Sequence, residues 1–189
     1  MKKLVDSGIS PKGVLSYQED DAQNVFRQGN AVFMRNWPYA WALNQASNSP
    51  VKGKIGVAPL PTGPSGTTPY SCLGGWNLAI NSYSKHPDQA WTFIQYMMSP
   101  QVQKEIALGA SYEGTYKAIY QDPDVIKANP FFKDLYNVLV NTKPRPVTPY
   151  YPQISQSLQN HVSAALAGSE TPQPALDAAA NEIQTAINQ

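Results

Sequence analysis

Histidine and cysteine are almost absent from this 189-residue chain: there are two of the former and one of the latter. With one cysteine, Cys72, no internal disulfide can form, and a Cys/His metal site has too few ligands. Cys72 lies in the apolar run Cys72-Leu73-Gly74, and neither His86 nor His161 adjoins it. A buried spectator thiol is therefore favoured over a nucleophile. Charge of one sign is also lacking, since 14 Lys+Arg face 13 Asp+Glu for a net charge of +1. That balance argues against a nucleic-acid partner, which would call for a clustered basic excess. No apolar run approaches the ~20 residues that span a bilayer. Met1-Lys2-Lys3 resembles the charged start of a signal peptide, but no apolar stretch follows it. The expectation is a chain without its own export signal, either cytoplasmic or a piece of something longer. GxSxG, P-loop, GxGxxG and HExxH motifs are all missing, and no cofactor is expected. A glycan-processing enzyme would need two carboxylates flanking a scissile bond. The few acids lie mainly where helices begin, as Glu19-Asp20-Asp21 does.

Neutral polar residues, proline and aromatics are plentiful instead. Prolines recur directly after capping residues: Ser99-Pro100, Asp122-Pro123, Asn129-Pro130 and Thr171-Pro172, with His86-Pro87 a weaker case. A side-chain oxygen caps the first N–H groups, and proline at the first helical position gives up an N–H that would be unpaired. These pairs predict helix starts. Core stripes follow Pro87, Pro100, Pro130 and Pro172. They are Ala90, Phe93, Ile94 and Met97, then Val102 and Ile106, and then Phe131, Leu135, Val138 and Leu139. A further stripe is Ile154, Leu158, Val162 and Ala165, and the last is Leu176, Ala180, Ile183 and Ile187. Gly109 and Gly168 are expected to end helices in the left-handed conformation.

Strands are expected over 31–35, 54–60 and 78–80, and a loop over 62–69, where Gly63, Pro64, Gly66 and Pro69 cluster. The result is α/β-like but helix-rich, with few strands. Such an imbalance predicts that strands of the complete sheet lie outside this chain.

Three clusters have the chemistry of a binding site. Arg35-Asn36-Trp37-Pro38-Tyr39-Ala40-Trp41 follows the first expected strand. A tryptophan beside a proline there makes a rigid plate, and sugars pack their C–H faces on such rings while their hydroxyls seek fixed polar partners. Trp37 and Trp41 can equally be core residues. In Leu73-Gly74-Gly75-Trp76-Asn77, glycines let the backbone approach a ligand closely. The same run also reads as a strand-entry turn with a buried tryptophan. In the stretch from Lys143 to Pro152, alternating prolines hold the chain stiff around Arg145. Its guanidinium suits vicinal hydroxyls, or is an ordinary surface charge in a connector.

The order of these clusters resembles the sugar-binding proteins of bacterial ABC importers. The resemblance is carried by Tyr17 to Trp41, by Gly74-Gly75-Trp76-Asn77-Leu78-Ala79-Ile80 with Ser84-Lys85-His86-Pro87, and by Ala90-Trp91-Thr92-Phe93-Ile94 with Ser99-Pro100-Gln101-Val102-Gln103. Arg145-Pro146 to Gln153-Ile154 is similar to the trehalose/maltose-binding branch.

That resemblance implies a two-lobed, periplasmic-binding-protein-like (type II) α/β fold, of which this chain is the carboxy-terminal half. Residues 1–65 and 128–189 would belong to one lobe and 66–127 to the other. A mono- or disaccharide, trehalose- or maltose-like or glucose, would bind between the lobes. Trp37 would stack on a ring beside Tyr39, Gly75 and Trp76 would line the cleft, and Arg145 would meet hydroxyls. Leu158 stands where relatives carry a ring-stacking aromatic, which leaves Tyr150 or Tyr151 to serve. A Leu-Pro-Thr turn common in the family is replaced near Tyr112-Glu113-Gly114-Thr115, leaving those residues without an assigned role. The partners implied are permease subunits, with the protein outside the cytoplasmic membrane, periplasmic or membrane-anchored. The alternative is a structural or assembly unit that pairs with its amino-terminal half or with a second, domain-swapped copy and binds little by itself.

Overall fold

The computed structural model describes residues 1–188 apart from Ser65 and Thr67. The loop expected over 62–69 and the lobe boundary at 65 include positions outside the described residues. The helices among the described residues are α1 (Lys2–Asp6), α2 (Glu19–Arg27), α3 (Ala40–Gln45), α4 (Pro87–Met97), α5 (Pro100–Ala110), α6 (Pro123–Ala128), α7 (Phe132–Val140), α8 (Tyr151–Ala167) and α9 (Pro172–Ile187). Short 3-10 turns cover Lys12–Leu15 and Lys117–Gln121.

Proline marks helix starts as expected, though the caps differ. Ser99 Oγ accepts from Val102 N–H, and Asp122 accepts from the N–H groups of Asp124 and Val125. Each such cap is worth about 1 kcal/mol. His86 and Thr171 precede prolines at helix starts without side-chain caps. Asn129 does not cap α7, which begins at Phe132. Its side chain turns back to the end of α5 instead. The acids of α2 serve the helix: Asp21 accepts from Gln18 N–H at 2.8 Å, closing its first turn.

The expected strands do not form. Among the described residues 31–35, 54–60 and 78–80 carry no strand pairing, and the one bridge is isolated and parallel, between Cys72 and Lys143. An extended segment becomes a strand only when a neighbour supplies N–H and C=O groups at ladder spacing. Here no described segment does so for these three.

The chain divides into two compact units, Met1–Ala22 with Pro146–Gln189, and Gln23–Arg145. In the first, α8 packs along α9. The buried side is Ile154, Ser157 and Ala165 against Ala175 and Ala179. The expected stripe on α9 is therefore wrong by one position: Leu176, Ala180 and Ile187 are exposed, and Ala175 and Ala179 face inward. Small residues win because they let the two helix backbones approach closely. Leu158 is likewise exposed while Ser157 is buried. Gly168 ends α8 with φ +86°, as its position predicts.

In the second unit the core is Ala107, Ile119, Tyr120, Val125 and Phe132, flanked by Phe131, Leu135, Tyr136 and Leu139. Phe132, absent from the expected stripe on α7, is fully buried. None of the α4 stripe is buried, and Phe93 is exposed. Gly109 lies inside α5, whose left-handed terminal residue is Ser111, φ +56°. That conformation costs a residue with a side chain about 1–2 kcal/mol. Buried hydrogen bonds fix it: Ser111 Oγ donates to Asn129 Oδ1 at 2.5 Å, and Asn129 Nδ2 donates to the Ala107 carbonyl at 2.9 Å.

Candidate functional site

The turn entering α3 holds the best-defined cluster of expected site residues. A chain of amides braces it. Asn36 Nδ2 donates to Gln23 Oε1 at 3.0 Å, Gln23 Nε2 donates to Asn44 Oδ1 at 3.1 Å, and Asn44 Nδ2 donates to the Ala40 carbonyl at 2.8 Å. Gln23 and Asn44 are buried, so each unmade bond would carry a full desolvation cost. Asn36 Oδ1 also accepts from Trp37 N–H at 2.8 Å. The relay ties the 36–40 turn to α2 and α3 and sets the direction in which Trp37 leaves the backbone.

Trp37 is 47% exposed, with the Arg35 guanidinium 4.8 Å from its ring centroid. It is a plate with one cationic cover, outside the core. Trp41, the other candidate of this stretch, is structural. Its ring packs on Phe131 at 5.5 Å, and its Nε1 donates to the Ala128 carbonyl at 3.3 Å. Tyr39 is half-buried and stacks on Tyr112, with centroids 5.6 Å apart and planes 24° apart. Glu113 follows, half-buried, and burial raises its carboxyl pKa from its ordinary value. Burial, then the Glu113 charge, likewise raises the Tyr120 phenol.

The glycine cluster lies elsewhere in the same unit. Leu73 N–H donates to the Lys143 carbonyl at 2.8 Å, and Lys143 N–H donates to the Ser71 carbonyl at 2.9 Å. Both chains leave this parallel bridge in the same direction, one toward Gly74-Gly75-Trp76 and the other toward Arg145. Trp76 is 97% exposed, and a Cβ added at Gly75 would meet nothing within 4 Å. Neither behaves as a core residue. Arg145 is exposed, while Tyr151, half-buried, opens α8 in the other unit.

Sequence reasoning missed Gln23 and Asn44, because buried glutamine and asparagine carry no periodic signal. It also left Tyr112 and Glu113 without a role, although the pairing of an aromatic and an acid just past a helix end was visible. Among the described residues, no cluster of three or more His, Cys, Asp or Glu is arranged to hold a metal ion, and no helix is long and apolar enough to cross a membrane.

The family model described as bacterial extracellular solute-binding protein matches residues 1–104. A probable ABC transporter-binding protein of Deinococcus radiodurans is 46% identical over 170 residues, covering 88% of this chain and 40% of that protein. A maltose-bound T. maritima MalE3 structure superposes with a TM-score of 0.92 at 41% identity, over 96% of this chain and 47% of that one. An ABC transporter solute-binding protein of Agrobacterium radiobacter K84, in complex with ribitol, follows at TM-score 0.81 and 31% identity, over 93% and 45%. The chain thus spans less than half the length of the proteins it matches.

Proposed function

The chain belongs to the bacterial extracellular solute-binding protein family, and on that premise we propose that it is the carboxy-terminal half of a sugar receptor for an ABC importer. Its fold is part of the type II periplasmic-binding-protein fold, and its family serves transport, not catalysis. The receptor acts outside the cytoplasmic membrane, in the periplasm or anchored to the cell surface, and hands its ligand to permease subunits.

The ligand of this reading is a trehalose- or maltose-like disaccharide, or glucose. The observation that carries it is the half-exposed Trp37 plate on a turn braced by buried amides. A sugar needs such a plate with fixed donors around it. The maltose in the T. maritima relative and the ribitol in the Agrobacterium one support a polyhydroxylated ligand. Tyr39 stands beside the plate, Gly75 and Trp76 line the opposite wall, and Arg145 and Tyr151 supply donors. Residues 1–65 and 128–189 form one lobe and 66–127 the other, so that Trp37 and Trp76 meet the ligand from two sides.

A complementing segment completes this site. The chain exposes 13,607 Å². A compact monomer of 20.7 kDa would expose ~8,900 Å², and two separate compact bodies sharing that mass ~10,600 Å². Several large aromatic side chains lie open within residues 76–96. Trp76, Tyr83, Trp91, Phe93 and Tyr96 are all exposed. An amino-terminal half covers them, or else a second copy does. Light scattering of the chain alone separates the two, since a stable symmetric dimer supports the second copy.

The binding test is calorimetry with maltose, trehalose and glucose, titrated into the chain joined to its amino-terminal half. Saturable binding of one sugar is expected. Absence of heat from all three, with the polypeptide folded, would overturn the reading.

A further inference from the structure

Just past α5, the chain departs from regular geometry in a way that α5 itself does not require. Ser111 is the one described residue other than glycine with a positive φ. A left-handed helix end is normally left to glycine, and Gly109 was available two residues earlier. Instead, buried Asn129 clamps Ser111 through its side chain and holds the last turn of α5 through the Ala107 carbonyl. The effect is to send residues 112–114 across to the turn that carries Trp37. There Tyr112, 43% exposed, lies flat on Tyr39. Tyr39 is two residues beyond Trp37, so the two turns are joined ring to ring.

Glu113 follows directly, and its environment is unusual for an acid. It is half-buried, and among the described residues no cation is paired with it. The cations of the neighbouring elements are engaged elsewhere. Lys104 of α5 bonds Asp122 and Asp124, both at 2.8 Å. Lys117, on the 3-10 turn, lies 5.1 Å from the Tyr136 ring centroid. Tyr120 is the titratable group that feels the Glu113 charge, and its hydroxyl already donates to the Gly114 carbonyl at 2.6 Å. The carboxylate accepts from its own backbone N–H; partly dried and left without a cation, it keeps further acceptor capacity for a group from outside.

We infer that Tyr112 and Glu113 are specificity-determining residues of the Trp37 site, where the Tyr112 ring backs the stacking surface through Tyr39 and the Glu113 carboxylate accepts hydrogen bonds from hydroxyls of a neutral sugar. The same carboxylate repels ligands that carry a negative charge, such as uronic acids. The inference rests on the sugar-binding reading. It goes beyond it in placing a charge filter on a loop that the family resemblance left without a role.

Calorimetric titration of the chain joined to its amino-terminal half, with maltose and glucuronate as probes, tests it. Glu113→Gln keeps the size of the side chain and removes the charge. It is expected to weaken maltose binding about tenfold at neutral pH, because a charge-assisted hydrogen bond becomes a neutral one. It is also expected to strengthen glucuronate binding relative to maltose. In the parent, maltose affinity falls as the pH drops through the raised Glu113 pKa; in Glu113→Gln that fall is gone. Tyr112→Ala is expected to lose about tenfold and Tyr112→Phe to retain binding, with denaturation curves checking that each variant is folded. If Trp37→Ala abolishes maltose binding while Glu113→Gln and Tyr112→Ala match the parent at every pH, this inference fails and the sugar reading stands. If the parent binds no sugar, both fail together.

Discussion

The guanidinium of Arg35 lies over the ring of Trp37, 4.8 Å from its centroid. The two residues flank Asn36, whose amide is held by Gln23, so backbone and side chains agree on one orientation of the plate. A half-exposed cation–π pair is worth about 0.5–1 kcal/mol. Arg35→Ala is therefore expected to change global stability by no more than that. It should also make Trp37 more accessible to acrylamide quenching, measured with Trp76 and Trp91 replaced by Phe. Unchanged quenching would mean that the guanidinium does not cover the ring.

Gln23→Ala removes the middle of the amide relay and leaves buried Asn44 Oδ1 without its donor. The expected loss is about 1–3 kcal/mol in chemical denaturation. The sugar affinity of the folded fraction should fall as well, because Asn36 loses its acceptor. A stability loss with unchanged affinity would assign the relay to folding alone.

Gly114 is needed for space. A Cβ there would clash with Ile119 Cδ1 and stand 3.2 Å from Cγ2 and 3.3 Å from Cγ1, and Ile119 is fixed in the core. Gly114→Ala is expected to cost about 1–3 kcal/mol. Adding Ile119→Val, which deletes the Cδ1 methyl, should recover part of that loss, so that the double variant is less destabilised than the two singles added together.

Two carboxylates bracket His161 between α8 and α9. Nδ1 is 3.1 Å from Glu170, Nε2 is 3.2 Å from Glu182, and Glu182 also accepts from Ser157 Oγ at 2.6 Å. The Glu170 and Glu182 hydrogen bonds raise the His161 pKa above its usual 6.5. That contribution to stability is present below pH 6.5 and is lost as pH rises through the folded-state value. Glu182 is lowered from 4.5, first by Ser157 and then by His161. Its contribution is present above pH 4.5 and is lost as pH falls through its own folded-state value. Thermal unfolding of the parent minus that of His161→Gln should therefore be largest between these limits and shrink on both sides. A flat difference would show that the bracket contributes nothing.

Glu113 behaves in the opposite sense to Glu182. Burial raises its pKa, so a stability cost builds as the pH rises from the unfolded-state value and is complete above the folded-state one. Glu113→Gln should be more stable than the parent at neutral pH, and the gain should vanish below the unfolded-state pKa. Equal stability at all pH values would mean that the carboxylate is solvated after all.

How much of this was legible in the sequence depended on whether the signal was local. Proline marked where α5, α6 and α9 begin, because its ring acts within one turn, and Ser99 and Asp122 add side-chain caps at the first two. The choice of Gly109 as the end of α5 failed because Asn129, twenty residues on, supplies the hydrogen bonds that hold Ser111. The α9 stripe failed because close helix packing selects Ala175 and Ala179 over the larger Leu176. The strands failed because pairing is a property of neighbours that residues 31–35, 54–60 and 78–80 do not find here. Trp37 and Trp41 looked alike in sequence, and only their surroundings separate a plate from a core ring.

The most direct test of the account is a maltose titration, followed by calorimetry, into the chain joined to its amino-terminal half, beside the same titration into Trp37→Ala. The expected result is saturable binding that weakens at least about tenfold, or roughly 1.4 kcal/mol, without the ring. Saturable binding of equal strength in both proteins would contradict the place given to Trp37, and no binding in either would contradict the maltose reading itself.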